Sequence, residues 1–241
     1  MRKMRNGMLL GCLLAGASVL PLAAQAKPVV SIDLTGVQGS SLNGVYTDPY
    51  YAKIGPAGLT TPSEFTAQNS PSTAIYCDDF YDEVSTGQVW QATVTNLGSL
   101  SLTSPDPTLM FDGTSAAQAS NYMAAAWLAE QIGGGKLSSS QAEIDSYALW
   151  YVFDPNALSG LSSSDSSAAQ QASADAFLAV ANDTPSHFSN VSIYTPLDST
   201  PGSASSQEYL AVSAPEPSTL ALALLGVAAI GFAAHRRRAV G

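Results

Sequence analysis

The chain has 241 residues, of which 46% are hydrophobic and only 12% charged, with a formal net charge of −10 and two cysteines. Six of its nine basic residues lie in the two ends, leaving Lys27, Lys53 and Lys136 against 18 acidic residues in 27–214, a formal charge of −15. Such a body repels phosphate backbones, which excludes nucleic acid as a partner, and its single cysteine, Cys77, excludes an internal disulfide.

In chain order, Arg2, Lys3 and Arg5 form a positive n-region, Met8 to Leu22 is mostly apolar, and Ala24-Gln25-Ala26 supplies a small-x-small cleavage pattern. These features predict a signal peptide over 1–26, removed after Ala26 by signal peptidase. Pro21, and an apolar run shorter than the roughly 20 residues of a spanning helix, argue against a permanent anchor. Leu9-Leu10-Gly11-Cys12 loosely matches a lipoprotein box, so a lipid on Cys12 is the alternative.

The body, 27–214, opens with strands and loops. Val29 to Leu34 and Thr73 to Phe80 are short apolar-rich runs. Gln88 to Leu97 alternates, with Val89, Gln91, Thr93, Thr95 and Leu97 on one face and Trp90, Ala92, Val94 and Asn96 on the other. The middle turns helical. Ser115 to Ile132 has Ala116, Ala119, Met123, Ala126 and Trp127 at helical spacing, Ser115 as cap and Gly133-Gly134-Gly135 as stop. A second helix opens at Ser138-Ser139-Ser140 and ends before Asp154-Pro155, and a third is expected from about Asp165 to Ala181 after a flexible Ser-rich link. Val191 to Thr195 and Glu208 to Val212 read as closing strands. Strands, then helices, then strands, without a βαβ rhythm, predict an α+β fold: an antiparallel strand-rich core, sandwich or barrel-like, with an inserted layer of two to three helices.

At the C-terminus, Pro215-Glu216-Pro217 precedes an apolar stretch and then Arg236, Arg237 and Arg238. The segment 218–234 is about 26 Å long as a helix, at the lower limit for crossing a bilayer. It is expected to be a separate transmembrane helix with the arginines as a cytoplasmic basic anchor, which leaves the body outside. Residues Pro215 to Arg238 resemble the PEP-CTERM sorting signal of Gram-negative bacteria, a segment that has also been labelled as the C-terminal part of ice-binding proteins. The resemblance implies recognition of Pro-Glu-Pro by an exosortase, transient inner-membrane anchoring, removal of the helix, and delivery to the cell surface or extracellular matrix of biofilm-forming cells.

Within the body, Tyr76-Cys77-Asp78-Asp79-Phe80, Ala125-Ala126-Trp127-Leu128-Ala129 and Tyr147-Ala148-Leu149-Trp150 resemble bacterial thioester adhesion domains over roughly Ala74 to Asp154. In those domains a strand Cys and a helix Gln form an internal thioester. Here Cys77 matches the Cys, but Ser146 occupies the Gln position and has no carboxamide for a thiol to displace. Cys77 therefore reads as a structural residue packed under the helical layer, in a scaffold that has lost its bond.

The acidic string Asp78, Asp79, Asp82 and Glu83 is a weak calcium candidate, since hard cations take several carboxylate oxygens, but it lacks an EF-hand's spacing and glycine. A Cys-His pair would need His187, whose surroundings read as an exposed loop. No nucleophile elbow, zinc-binding pair, phosphate loop or dinucleotide fingerprint is present in the sequence. Trp90, Trp127 and Trp150 follow strand or helix periodicity and read as core rather than as a carbohydrate groove.

The expectation is an exported, non-enzymatic structural or adhesive protein without a cofactor, whose partners are signal peptidase, exosortase and extracellular polysaccharide. One alternative is a Cys77-dependent acyl-transfer enzyme or covalent adhesin. Another is calcium, polysaccharide or ice binding, the last resting on a single Thr93-Val94-Thr95.

Overall fold

The computed structural model describes residues 26–39, 41–111, 113–198 and 206–213. The signal-peptide residues 1–25, Pro215-Glu216-Pro217, the segment 218–234 and Arg236 to Arg238 lie outside the described residues. Among the described residues no helix is long and apolar enough to cross a membrane.

Six strands form a closed antiparallel barrel: β1 (Val29–Val37), β4 (Tyr50–Pro56), β5 (Ser72–Cys77), β6 (Val89–Asn96), β7 (Val191–Pro196) and β8 (Tyr209–Val212), in the order β1-β4-β5-β8-β7-β6. A small hairpin, β2 (Ser41–Leu42) and β3 (Val45–Tyr46), stands beside it. The barrel resolves the choice between sandwich and barrel in favour of closure, which removes exposed strand edges.

Register separates two faces, because paired residues in antiparallel strands share a side and successive residues alternate. Leu34↔Ala52, Tyr50↔Ile75, Cys77↔Tyr209, Ile32↔Trp90 and the neighbour Ala92 lie on one face. All of these are buried, and Tyr209 meets Tyr50 and Trp90 with ring centroids 5.8 and 5.9 Å apart. This face fills the barrel. The opposite face carries Tyr76, Leu210, Ile193 and Thr195, also buried, because helices cover it.

The cover is three mutually packed helices between β6 and β7: α1 (Gln118–Gly133), α2 (Ser139–Phe153) and α3 (Ser163–Ala179). Helix α1 packs on α2, α3 and β8, so it has almost no polar face: Ala119, Tyr122 to Ala126, Leu128, Ala129 and Ile132 are all buried. It starts three residues later than Ser115 predicts. The Ser115 hydroxyl accepts from the Ala117 N–H at 3.1 Å and so organises a preceding turn. The start of α2 is as expected, with Ser138 accepting from the Gln141 N–H at 3.2 Å. The link expected to be flexible is instead ordered: Ser162 caps α3 through the Asp165 N–H, and Gly160 O accepts from Asn43 at 2.9 Å.

The C-terminal end of α1 sits against β5. A Cβ on Gly133 would lie 2.1 Å from the Tyr76 hydroxyl, and Tyr76 is itself buried. Gly133→Ala is expected to lower stability by about 1–3 kcal/mol through overpacking, seen as a reduced melting temperature. An unchanged melting temperature would mean that α1 and β5 separate readily.

Strand directions put β1, β6, β7 and β8 in a common frame. The start of β1, the end of β6, the start of β7 and the end of β8 share one end of the barrel. Exposed Ala26 and Ser213, the two residues bordering the predicted processing segments, therefore leave from the same end. The other end is made by the end of β1, the starts of β4, β6 and β8, and the end of β5.

Candidate functional site

Cys77 closes β5, and strand alternation turns its side chain to the barrel interior, the face away from the helical layer. That corrects the expectation that it packs under the helices. Its N–H donates to Asp48 Oδ1 at 2.8 Å and its thiol to Asp79 O at 3.0 Å. Ser146, on α2, accepts from the Asp48 N–H at 3.1 Å and donates to Ala142 O at 2.9 Å. Asp48 thus joins the two positions where the thioester pattern has Cys and Gln. Burial pushes the Asp48 carboxyl up to about 8, with the Cys77 N–H and Ser146 partly opposing the rise. The Cys77 thiol is pushed well up by burial and by the charges of Asp48, Asp79 and Asp78, so it is held protonated and is a poor nucleophile.

One residue on, Asp78 faces the helical side. Glu208 accepts there from the hydroxyls of Tyr122 and Thr195, and from the Met110 N–H at 3.1 Å. These donors oppose the rise that burial imposes on Glu208. Beside it, the Asp78 carboxyl is pushed well above the usual carboxylate range, first by burial and then by the Glu208 charge, which favours its protonated form. A buried carboxyl pair of this kind needs every donor it has, since an unpaired charge away from water costs several kcal/mol.

The third part of the acidic string lies at the barrel end opposite the termini, around a cavity of about 550 Å³. The β2–β3 hairpin forms one wall, with Gly44, Val45 and exposed Tyr46. Asn43 and Gly44 turn it with φ of 54° and 81°, the left-handed pair of an Asn-Gly turn. Tyr147 and Asn43 dock the hairpin on the helical layer through Leu42 O and Gly160 O. The remaining wall includes Tyr50, Phe80, Trp150, Asp79, Asp82, Glu83 and Gln207. Asp79 Oδ1 accepts from the Tyr81 N–H at 2.9 Å and the Asp82 N–H at 3.3 Å. Gln207 ties this turn to β8, donating to Asp79 O at 3.0 Å and to Asp82 O, and accepting from Tyr209 at 2.8 Å. Burial, and then the Asp82 carboxylate, push Asp79 up to about 7 against the pull of the Tyr81 N–H.

The four calcium candidates are therefore divided: Asp78 faces Glu208, while Asp79, Asp82 and Glu83 border the cavity. Among the described residues no group of three or more His, Cys, Asp or Glu is placed to hold a metal. His187 is exposed and pairs through Nδ1 with Asp183 at 2.8 Å. Thr93 and Thr95 lie on β6, where Thr93 donates to Thr195 O and Thr95 accepts from Lys27 at 2.6 Å. Of the tryptophans, Trp90 is inside the barrel, Trp127 is half-buried on α1, and Trp150 is buried yet lines the cavity. Asp48, Gln207, Glu208 and Tyr46 escaped the sequence reading. For Tyr46 a signal existed, the Asn43-Gly44 hairpin turn beside it.

Strand β8 ends at Val212, and the Ser213 N–H donates to Asn190 O at 2.9 Å. Residues 213–238 match the PEP-CTERM protein-sorting motif. The sorting motif thus begins one residue after the barrel's last strand, and it supports export with exosortase processing in transit to the surface or exterior. No curated protein matches the chain. Among solved structures, the N-terminal domain of the Streptococcus pyogenes pilus tip adhesin Cpa is similar at 12% identity with a TM-score of 0.39, covering 80% of this chain and 96% of that one.

Two outcomes follow from the buried acids and the thiol. Asp48 and Asp79 both have raised folded values, so the native state holds protons that the unfolded chain releases. Their stabilisation is full below the unfolded carboxylate range and lost as pH rises through about 7 and 8. The melting temperature should fall by about 5 °C or more between about pH 5 and pH 8.5, and the Asp48→Asn, Asp79→Asn double variant should flatten that slope. An equal slope in the double variant would refute the assignment. A maleimide reagent should label native Cys77 at least about a hundredfold more slowly than the denatured chain; equal rates would show an accessible, ionisable thiol.

Proposed function

We propose that the chain is an exosortase-sorted protein of the cell surface or extracellular matrix whose body acts by binding, in an adhesive or structural role without catalysis. The observation that carries this reading is polarity. Ala26 and Ser213 leave one end of the barrel, and the 550 Å³ cavity opens at the other. A body attached to the surface through its processed C-terminal end presents that cavity outward. Pocket volumes of about 300–1,000 Å³ suit small ligands or a few units of a polymer.

Within this reading Ala24 and Ala26 mark the signal-peptidase site, Pro215, Glu216 and Pro217 are read by the exosortase, and Arg236 to Arg238 hold the C-terminal segment on the cytoplasmic side. The buried and protonated state of Cys77 favours a structural thiol over acyl transfer.

Glu216→Ala should leave the chain in the inner-membrane fraction with its C-terminal segment intact, whereas the unchanged protein should appear at the surface or in the medium. Intact-mass measurement should show a product shortened near Pro215 to Pro217 only in the latter. A strain that lacks the protein, or carries Glu216→Ala, should attach poorly to surfaces or matrix. Normal attachment by both strains would defeat the adhesive reading.

A further inference from the structure

The last hydrogen bonds of β8 lie directly against the sorting motif. The final pair of the β7–β8 ladder is Val191↔Val212, and one step beyond it Asn190 engages both main-chain polar groups of Ser213. The Ser213 N–H donates to Asn190 O at 2.9 Å, and Asn190 Nδ2 donates to Ser213 O at 3.4 Å. The same side-chain nitrogen donates to Glu130 Oε1 on α1 at 3.3 Å. Ser213 itself is exposed, while Asn190 and Glu130 are half-buried.

The platform under Asn190 is tight. Phe188 is buried, Asn96 Nδ2 donates to Ser189 O at 2.8 Å, and a Cβ on Gly98 would lie 2.9 Å from Ser189 Cα. Residues 188–190 are thereby held in place, so the chain leaves this end of the barrel only by breaking the contacts between Ser213 and Asn190.

The distance to the motif gives these contacts a functional meaning. One residue, Ala214, separates Ser213 from Pro215. At about 3.8 Å per Cα–Cα step, the Pro215 Cα is at most about 8 Å from that of Ser213. Extended peptides are recognised largely through main-chain N–H and C=O groups. In Ser213-Ala214-Pro215-Glu216-Pro217 both prolines lack an N–H, so the donors are those of Ser213, Ala214 and Glu216. The first of these is already committed to Asn190. Strand ends open locally far more often than the whole molecule unfolds. A protease that cuts slowly relative to such opening follows the population of the open form.

We propose that the Asn190 clamp gates sorting: the exosortase acts on the form in which Ser213 has left Asn190, and the strength of the clamp sets the rate at which the C-terminal segment is removed. The inference rests on the exosortase sorting proposed above and assigns its regulation to one contact.

The test follows the full chain by pulse-chase in the cells that sort it, with intact mass identifying the shortened product. Asn190→Ala removes both side-chain bonds, and Asn190→Asp keeps the size while placing a carboxylate beside Glu130. Each should raise the processing rate about fivefold, as the loss of about one net hydrogen bond predicts. Hydrogen exchange of the Ser213 amide in the purified full chain should quicken by a similar factor. A Gly-Ser-Gly-Ser spacer between Ser213 and Ala214 should speed processing at least as much. Adding Asn190→Ala to the spacer should then change the rate by less than about twofold, because both act on the same step. Gly133→Ala, which lowers stability away from the clamp, should leave the rate within about twofold of the unchanged chain.

Unchanged rates in both Asn190 variants would overturn the gate. A spacer that slows processing would overturn it as well, by showing that the enzyme docks on the closed end of the barrel. Acceleration by Gly133→Ala equal to that of the Asn190 variants would replace the clamp with general unfolding. If the unchanged chain is never shortened, the sorting reading itself falls. Shortening at a rate indifferent to Asn190 removes only the gate and leaves that reading in place.

Discussion

Closure of the barrel by β8 is the constraint on which the rest of the structure depends. Four residues, Tyr209 to Val212, enter between β5 and β7, although β5 lies more than 130 positions earlier in the chain and pairs with β8 at only two places, Tyr76↔Leu210 and Cys77↔Tyr209. So short a seam is secured by the side chains around it. Tyr209 sits in the interior between Tyr50 and Trp90, and Gln207 and Glu208 bind the turn after β5, helix α1 and β7 from the residues just before the strand. Contacts of this sequence separation form late and slowly in folding.

The same seam explains why one acidic string has several chemistries. Along Cys77-Asp78-Asp79 the chain passes from the barrel interior, to the helical interface, to the cavity rim. A thiol, a carboxyl pushed well above its usual range and one pushed up to about 7 follow one another because each successive side chain meets different surroundings. Glu208 then fixes α1 to the sheet through Tyr122 and Thr195. These hydrogen bonds have a direction and so select one docking of the helices, which apolar contacts such as Leu210 and Ile193 leave less determined.

Much of the fold was legible in local sequence. The alternation of β6, the Ser138 cap and the Asp154-Pro155 stop each express a short-range rule, and the observed elements follow them closely. Strand β4 was not legible, because Tyr50 to Pro56 carries Lys53 and ends in Gly55-Pro56, and its pairing with β1 includes a shift between Leu34 and Gly36. The beginning of α1 was misplaced because a serine that can cap a helix can also hold a turn. At the candidate site the residues of the acidic string stood out, but their division did not, since it depends on where β5 ends. Asp48 and Glu208 meet Cys77 and Asp78 only in three dimensions. Trp150 follows helical periodicity and is buried, so the sequence had no sign that it also lines a cavity.

The placement of the sorting motif directly after β8 also has a mechanical meaning. Any pull between the chain that leaves β8 at one end of the barrel and a load at the other would run along β8 rather than across it. The hydrogen bonds that join β8 to β5 and β7 then share the load in shear and do not open one at a time from a free end. Short as it is, the closing strand is oriented to resist being drawn out by a pull on the chain that follows it.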